Sequence, residues 1–148
     1  MRSIYDGVVV SPSARPQVNT GTTGTTGLVI DTKGRNTAMI IAYGTVASGA
    51  PTAATLACKL EECATETGTF AAANDNGGTQ IQVSLTLTSA DAIGLARIEA
   101  LGTTRLRYLR LVTTPAFTGG TNPAFTSVAV IALDRSYQDP VRTTVSNT

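Results

Sequence analysis

Ile81, Val83, Leu85 and Leu87 alternate strictly with Gln82, Ser84, Thr86 and Thr88. A two-residue apolar period of this kind describes a half-buried β-strand. Similar short runs recur along the chain. Leu28 to Ile30 is closed by the turn sequence Asp31-Thr-Lys-Gly34, and Leu56 to Glu62 sets Lys59 and Glu61 outward. Asn36 to Val46 carries Met39, Ile41 and Tyr43 on one face and Ala38, Ile40 and Ala42 on the other, while Phe125 to Leu133 is almost wholly apolar. A strand apolar on both faces is central in a two-layer core or has one face covered by a neighbouring subunit. Between the runs lie Gly-, Pro-, Thr- and Asn-rich breaks at 48–52, 64–80 and 115–123. No helix looks long enough to form a layer, so the pattern predicts an all-β fold: an antiparallel β-sandwich of jelly-roll or related type.

Helix competes with strand only over residues 89–102, which Ser89 could cap and Gly102 could stop. Gly94 and the β-rich surroundings weigh against a full helix. The expectation is one helical turn near Ala90–Ile93 and a strand from Leu95 to Leu101. The run Ile98 to Val112 then reads as a hairpin turning at Gly102-Thr-Thr104. Its second arm holds Arg105, Arg107 and Arg110. Strict alternation would set Arg110 on the face of Leu106 and Tyr108. A β-bulge at Leu109 would instead turn all three arginines outward and leave Leu106, Tyr108 and Leu111 inside.

At 148 residues the chain fits one domain, able to bury about 68–70% of its unfolded surface. Residues 1–26 read as an extended arm and linker, because Pro12 and Pro16 block helix and 20–27 is a Gly-Thr spacer. Val8-Val9-Val10 could still pair as an edge strand. The sandwich is expected over 27–134 and a polar C-terminal tail over 135–148. The N-terminus lacks the apolar run of a signal peptide, and no stretch approaches the roughly 18–20 apolar residues that span a bilayer. Cytosolic synthesis and no membrane partner are the resulting expectations.

The chain contains no histidine, which removes His-based triads, imidazole metal sites and the commonest general base. Cys58 and Cys63 match no zinc spacing; in one extended strand they would stand about 16 Å apart, too far for a disulfide. Both are expected as free thiols, with Cys58 in the core. The turn Asn74-Asp-Asn-Gly-Gly78 has too few acidic ligands for calcium and reads as an Asn-Gly turn. Glu61, Glu62 and Glu66 are the acidic cluster, but neighbouring strand residues point to opposite faces, so Glu61 and Glu62 cannot act as a hydrolytic pair. A solvated edge or an ion pair with Lys59 or a nearby arginine fits them better. No catalytic residue, metal site or cofactor is expected. Charged residues make up 14% of the chain against about 25% in ordinary soluble domains, which suggests a surface partly covered by a partner. A formal charge of +1 speaks against wholesale nucleic-acid binding. The candidates for partner contact are Val8, Val9, Val10 and Arg15 in the arm, and Arg105, Arg107, Tyr108 and Arg110, since guanidinium forks pair well with carboxylates at interfaces.

Three segments together, residues 28–41, Cys58-Lys-Leu-Glu-Glu-Cys63 with Gly68-Thr-Phe70, and Arg107-Tyr-Leu-Arg-Leu-Val112, resemble a family of small tailed-bacteriophage capsid proteins, the decoration or cement proteins. The resemblance covers roughly residues 27–135 and lies mainly in strand and turn pattern. In relatives the segment matching Lys59–Glu62 runs through a polar turn to an aromatic; here Cys63 and Ala-Thr-Glu-Thr stand in that turn, and residues 134–148 replace a short basic ending. The resemblance implies a sandwich that binds the outside of an icosahedral head as a homodimer or homotrimer, clamps major capsid subunits together and resides on the virion. The arm would lie across those subunits. A tail or head-completion protein, or a receptor- or carbohydrate-binding β-sandwich, would share the composition.

Overall fold

The computed structural model describes residues 8–45, 47–87, 91–98, 101 and 104–134. They form ten strands: β1 (Val8–Asn19), β2 (Thr25–Thr26), β3 (Ile30–Asp31), β4 (Ala38–Gly44) and β5 (Ala53–Cys63), followed by β6 (Ala71–Ala72), β7 (Gln82–Leu87), β8 (Ala92–Ile98), β9 (Tyr108–Thr118) and β10 (Phe125–Asp134). Every ladder between them is antiparallel. The first sheet runs β1-β10-β4-β8. The second runs β2-β9-β5-β6, with β3 also on β9 and β7 also on β5. With β2 and β3 counted as one interrupted strand and β6 as a minor addition, this interleaving is that of a jelly roll.

Alternation decides which side chains close the sandwich. Ile40 and Ala42 from β4, Leu56, Cys58 and Leu60 from β5, Leu85 and Leu87 from β7, Leu109 and Leu111 from β9, and Ala129 and Ile131 from β10 all face the inter-sheet space and are buried. Aliphatic side chains therefore fill most of the core. The ring of Phe125 also enters it and meets Phe117 at 5.3 Å between centroids. A close approach explains Gly94: a Cβ there would lie 2.3 Å from Val83 Cγ1, so β8 comes nearer to β7 than any side chain would allow.

Several expectations are corrected. Ile98 to Val112 is not a hairpin, because β8 pairs with β4 in the first sheet and β9 pairs with β5 in the second. The segment instead carries the chain from one sheet to the other. No bulge occurs at Leu109: β5 and β9 pair in unbroken register from Ala53↔Thr118 to Cys63↔Tyr108. Tyr108 and Arg110 therefore share the outer face, Leu109 and Leu111 point inward, and Leu106 is exposed at 43%. Two-sided pairing of β9 outweighs the local preference for hiding Tyr108. The segment begun at Leu95 by the sequence pattern starts at Ala92, so no helical turn forms at Ala92–Ile93; Ala90 lies outside the described residues. Pro115 to Thr118 belong to β9 and not to the loop, since β2 ends opposite Val112 and Thr113 and Pro115 lies beyond it.

The arm is corrected as well. Residues 8–19 are a full strand on β10, with Val8, Val9 and Val10 opposite Asp134, Leu133 and Ala132. Register shifts between Ser11 and Ala14 and between Ala14 and Gln17 accommodate Pro12 and Pro16, which suits an edge strand. Residues 1–7 and the tail expected over 135–148 lie outside the described residues.

Ser13 sits in the first of these shifts and is 1% exposed. Its hydroxyl donates to the Leu28 carbonyl at 3.0 Å and accepts the Leu111 N–H at 2.9 Å, while its carbonyl accepts the Leu28 N–H at 2.7 Å. One side chain thus ties the edge of the first sheet to the middle of the second. Gly27 is required beside it, because a Cβ there would lie 2.4 Å from the Ser13 carbonyl oxygen. Ser13→Ala strands the Leu111 N–H in the interior, so chemical denaturation should show a loss of about 1–3 kcal/mol.

Candidate interaction surfaces

The long β5–β9 ladder sets two chains of charge against each other at one end of the second sheet. Glu61 is the cross-strand neighbour of Arg110, whose Nε donates to Glu61 Oε2 at 2.8 Å. The same guanidinium lies 4.2 Å above the Phe70 ring, bringing the 64–80 loop onto the sheet. Beneath that loop Cys63 is buried against Gly68. Glu62, one residue earlier, points to the mouth of the sandwich. It accepts the Leu106 N–H at 3.0 Å and pairs with Arg105 at 3.5 Å, and Arg105 also donates to the Asn74 carbonyl. Both side chains are largely buried there, at 10% and 14% exposure.

Arg107 makes a two-pronged contact with Asp31, Nε to Oδ1 at 2.8 Å and a terminal nitrogen to Oδ2 at 2.6 Å, and lies 5.0 Å over the Tyr108 ring. That hydrogen bonding lowers the Asp31 pKa to about 2, helped by the Lys33 N–H and opposed by desolvation. Hydrogen bonding to Asp31 raises the Arg107 pKa in return. All three arginines are therefore matched by carboxylates of their own chain. They fasten the Asp31 turn and the 64–80 loop to the sheet, and their charge is already answered before any partner arrives. Of the other sequence candidates, Val9 and Val10 are exposed on the edge strand and Arg15 is exposed within its second register shift. The structure does not bring these residues together with the arginine cluster.

The remaining polar features are similarly engaged. Asp75 accepts the N–H groups of Gly77 and Thr79, both at 2.9 Å, with Gly78 at φ +82°, so its Oδ1 closes its own turn. A polar groove of about 230 Å³ is lined by Gln17, Asn19, Thr20, Thr23, Thr25 and others. Within it Asn19 donates to the Phe125 carbonyl and to Ser127, and Gln17 donates to Asn19 and Thr113.

The outer face of the first sheet is different in kind. Cross-strand register aligns three rows on it: Val10, Ala132, Met39 and Arg97; Val130, Ile41 and Leu95; and Val128, Tyr43 and Ile93. Val10, Leu95 and Ile93 are 56%, 61% and 67% exposed. Among the described residues charge lies toward the ends, as Arg97 in β8, Asp91 just before it and Asp134 at the end of β10, with Arg15 exposed on the β1 edge. A shallow pocket of about 280 Å³ opens at the Met39 end, between Thr37, Arg97, Ala132 and Asp134. A contiguous apolar surface rimmed by polar groups is the usual mark of an interaction site. The sequence pointed to the outer side of β4, but the helical reading of Ile93 detached β8 from it.

The folded pKa of Asp31 is depressed below the unfolded value of about 3.9, so its contribution is fully present above about pH 4 and disappears as pH falls through about 2. The pair is nearly half exposed, so Asp31→Asn should cost less than about 1 kcal/mol at pH 7, and parallel urea titrations should find that gap closing near pH 2. Burial pushes the Cys58 thiol up to about 12. Alkylation at pH 8 followed by mass spectrometry should therefore leave Cys58 unmodified in the native protein and label it after unfolding.

No protein-family model matches this chain, and no curated protein matches it. Among solved structures it is similar to the CBM22-1 xylan-binding domain from Paenibacillus barcinonensis Xyn10C, at 12% identity over 86% of this chain and 85% of that one, with a TM-score of 0.36.

Proposed function

We propose that this chain is a tailed-phage capsid decoration protein, a non-enzymatic module that docks on the outer surface of an assembled head and bridges major capsid subunits. The observation that carries the reading is the apolar outer face of the first sheet, with a side-chain-sized recess at its Met39 end. The resemblance in the strand and turn segments supplies the kind of partner. Because Arg105, Arg107 and Arg110 are paired internally, recognition rests on apolar fit and not on new ion pairs. Several modest contacts from an oligomer would add by avidity on a repeating shell. This replaces the arm as the source of contact, since Val8–Asn19 is built into the sheet.

A carbohydrate- or receptor-binding sandwich is the second reading, and the polar groove beside Gln17 is what favours it. Pro115 and Val18 are its apolar walls, and among the described residues no aromatic ring lines it for a sugar to stack upon. A tail or head-completion role would appear as a ring of many copies.

Sedimentation with heads stripped of accessory proteins tests the proposal. Saturable, stoichiometric binding is expected. Ile41→Lys or Val130→Lys should weaken it at least tenfold, whereas Arg107→Ala should leave it within about twofold. Absence of binding, together with retardation in a polysaccharide gel, would overturn the decoration reading in favour of the second one.

A further inference from the structure

The Asn74–Gly78 turn holds a reactive pair. Asn76 is followed by Gly77, and both are exposed. A glycine after an asparagine presents a backbone nitrogen with no side chain beside it, the least hindered arrangement for attack on the asparagine's own side-chain carbonyl carbon. The reaction needs only water. The Gly77 nitrogen gives up its proton to a solvent base and bonds to Asn76 Cγ, the Cγ–Nδ2 bond breaks with release of ammonia, and a cyclic imide forms. Water then opens the imide at either carbonyl, leaving aspartate or isoaspartate at this position. One water is consumed, one ammonia is released and no electron is transferred.

The fold opposes ring closure in two ways. The Asp75 N–H donates to the Thr79 carbonyl at 2.7 Å, and the Gly78 N–H donates to the Asp75 carbonyl at 3.0 Å. Gly78 is at φ +82°, while neither Asn76 nor Gly77 has a positive φ. This is a type I turn closed by a left-handed glycine. Asn76, at the second position, then has ψ of about −30°, which holds the Gly77 nitrogen roughly a quarter-turn from the eclipsed position beside Cβ that the ring requires. Asp75 Oδ1 reinforces the turn by accepting the Gly77 and Thr79 N–H groups, both at 2.9 Å. The first of these bonds falls on the attacking nitrogen itself. Loss of its proton would set a nitrogen anion against a carboxylate, so the hydrogen-bonded neutral amide is favoured.

We propose that Asn76 is a latent deamidation site of this chain and that the Asp75 carboxylate governs its rate, keeping the native turn slow at a sequence that reacts readily once the turn opens. Either product takes the formal charge of the chain from +1 to zero and sets a second carboxylate beside Asp75. Isoaspartate also adds a carbon to the backbone of a short loop. The Asn74 carbonyl, to which Arg105 donates, lies two residues away, so the change reaches the Glu62–Arg105 pair. The base of the loop is held separately on β5, by the Ala73 N–H and Gln80 Nε2 donating to the Leu60 carbonyl, so the modification stays local. None of this depends on what the first sheet docks on.

The full chain is incubated in mildly alkaline heavy-oxygen water, so that conversion during incubation is marked by incorporated oxygen, and is then digested and mapped by mass spectrometry with separation of the aspartate and isoaspartate products. The native wild type is compared with the wild type in guanidinium chloride and with native Asp75→Ala, whose fold is checked by circular dichroism. Conversion at Asn76 should be at least about tenfold slower in the native wild type than in the unfolded chain, because several turn hydrogen bonds must open first. Asp75→Ala loses two bonds to a charged acceptor and should convert about tenfold faster than the native wild type. A native wild type that converts as fast as the unfolded chain, an unfolded chain with no conversion at this position, or a folded Asp75→Ala no faster than the native wild type would each overturn the proposal.

Discussion

The unbroken pairing of β5 with β9 is the constraint on which the rest of the molecule depends. It joins Ala53–Cys63 to Tyr108–Thr118, partners that stand 45 to 65 residues apart in the chain, without a shift in register. Because side chains alternate along each strand, one fixed register assigns every residue of both to the core or to the outside. It buries Leu56, Cys58, Leu60, Leu109 and Leu111, and it brings Glu61 beside Arg110. The outer strands and loops then attach to a surface already defined. β7 adds to β5, β2 and β3 add to β9, and the Asp31 turn and the Phe70 loop are fastened by arginines that the ladder has positioned.

A core with so few aromatic rings gains its stability from many small apolar contacts and from satisfaction of the polar groups within it. Ser13 shows the second part most clearly. Its hydroxyl joins residues from three segments at a point where the edge strand departs from regular pairing. Asn19, Ser127 and Thr113 do similar work nearby, each buried and each hydrogen bonded. Buried polar groups of this kind fix one geometry because an unpartnered alternative is costly. The bulged edge strand is held in place by these bonds as well as by its ladder to β10.

The two sheets differ in what they leave outward. The second sheet closes its outer face with loops and internal ion pairs, whereas the first leaves aliphatic side chains exposed on its edge strands β1 and β8 and half-buried over β10 and β4 between them.

The sequence by itself determined the local grammar: strand after strand, the alternation at Ile81–Leu87, the inward placement of Cys58, and the turn at Asn74–Gly78 were legible because each depends on neighbours within a few residues. The jelly-roll class was legible for the same reason, from the number of strands and the absence of a helical layer. Only the tertiary structure decided which strands are partners. Ile98 to Val112 has the local look of a hairpin, yet its two halves join different sheets, because β5 is a longer and better matched partner for β9 than β8 is. Partner choice then settled the faces of Arg110 and Tyr108 and turned the expected arm into β1. Local sequence sets the period of the side chains, but the face that is buried depends on what lies across the ladder, and those residues are distant in the chain.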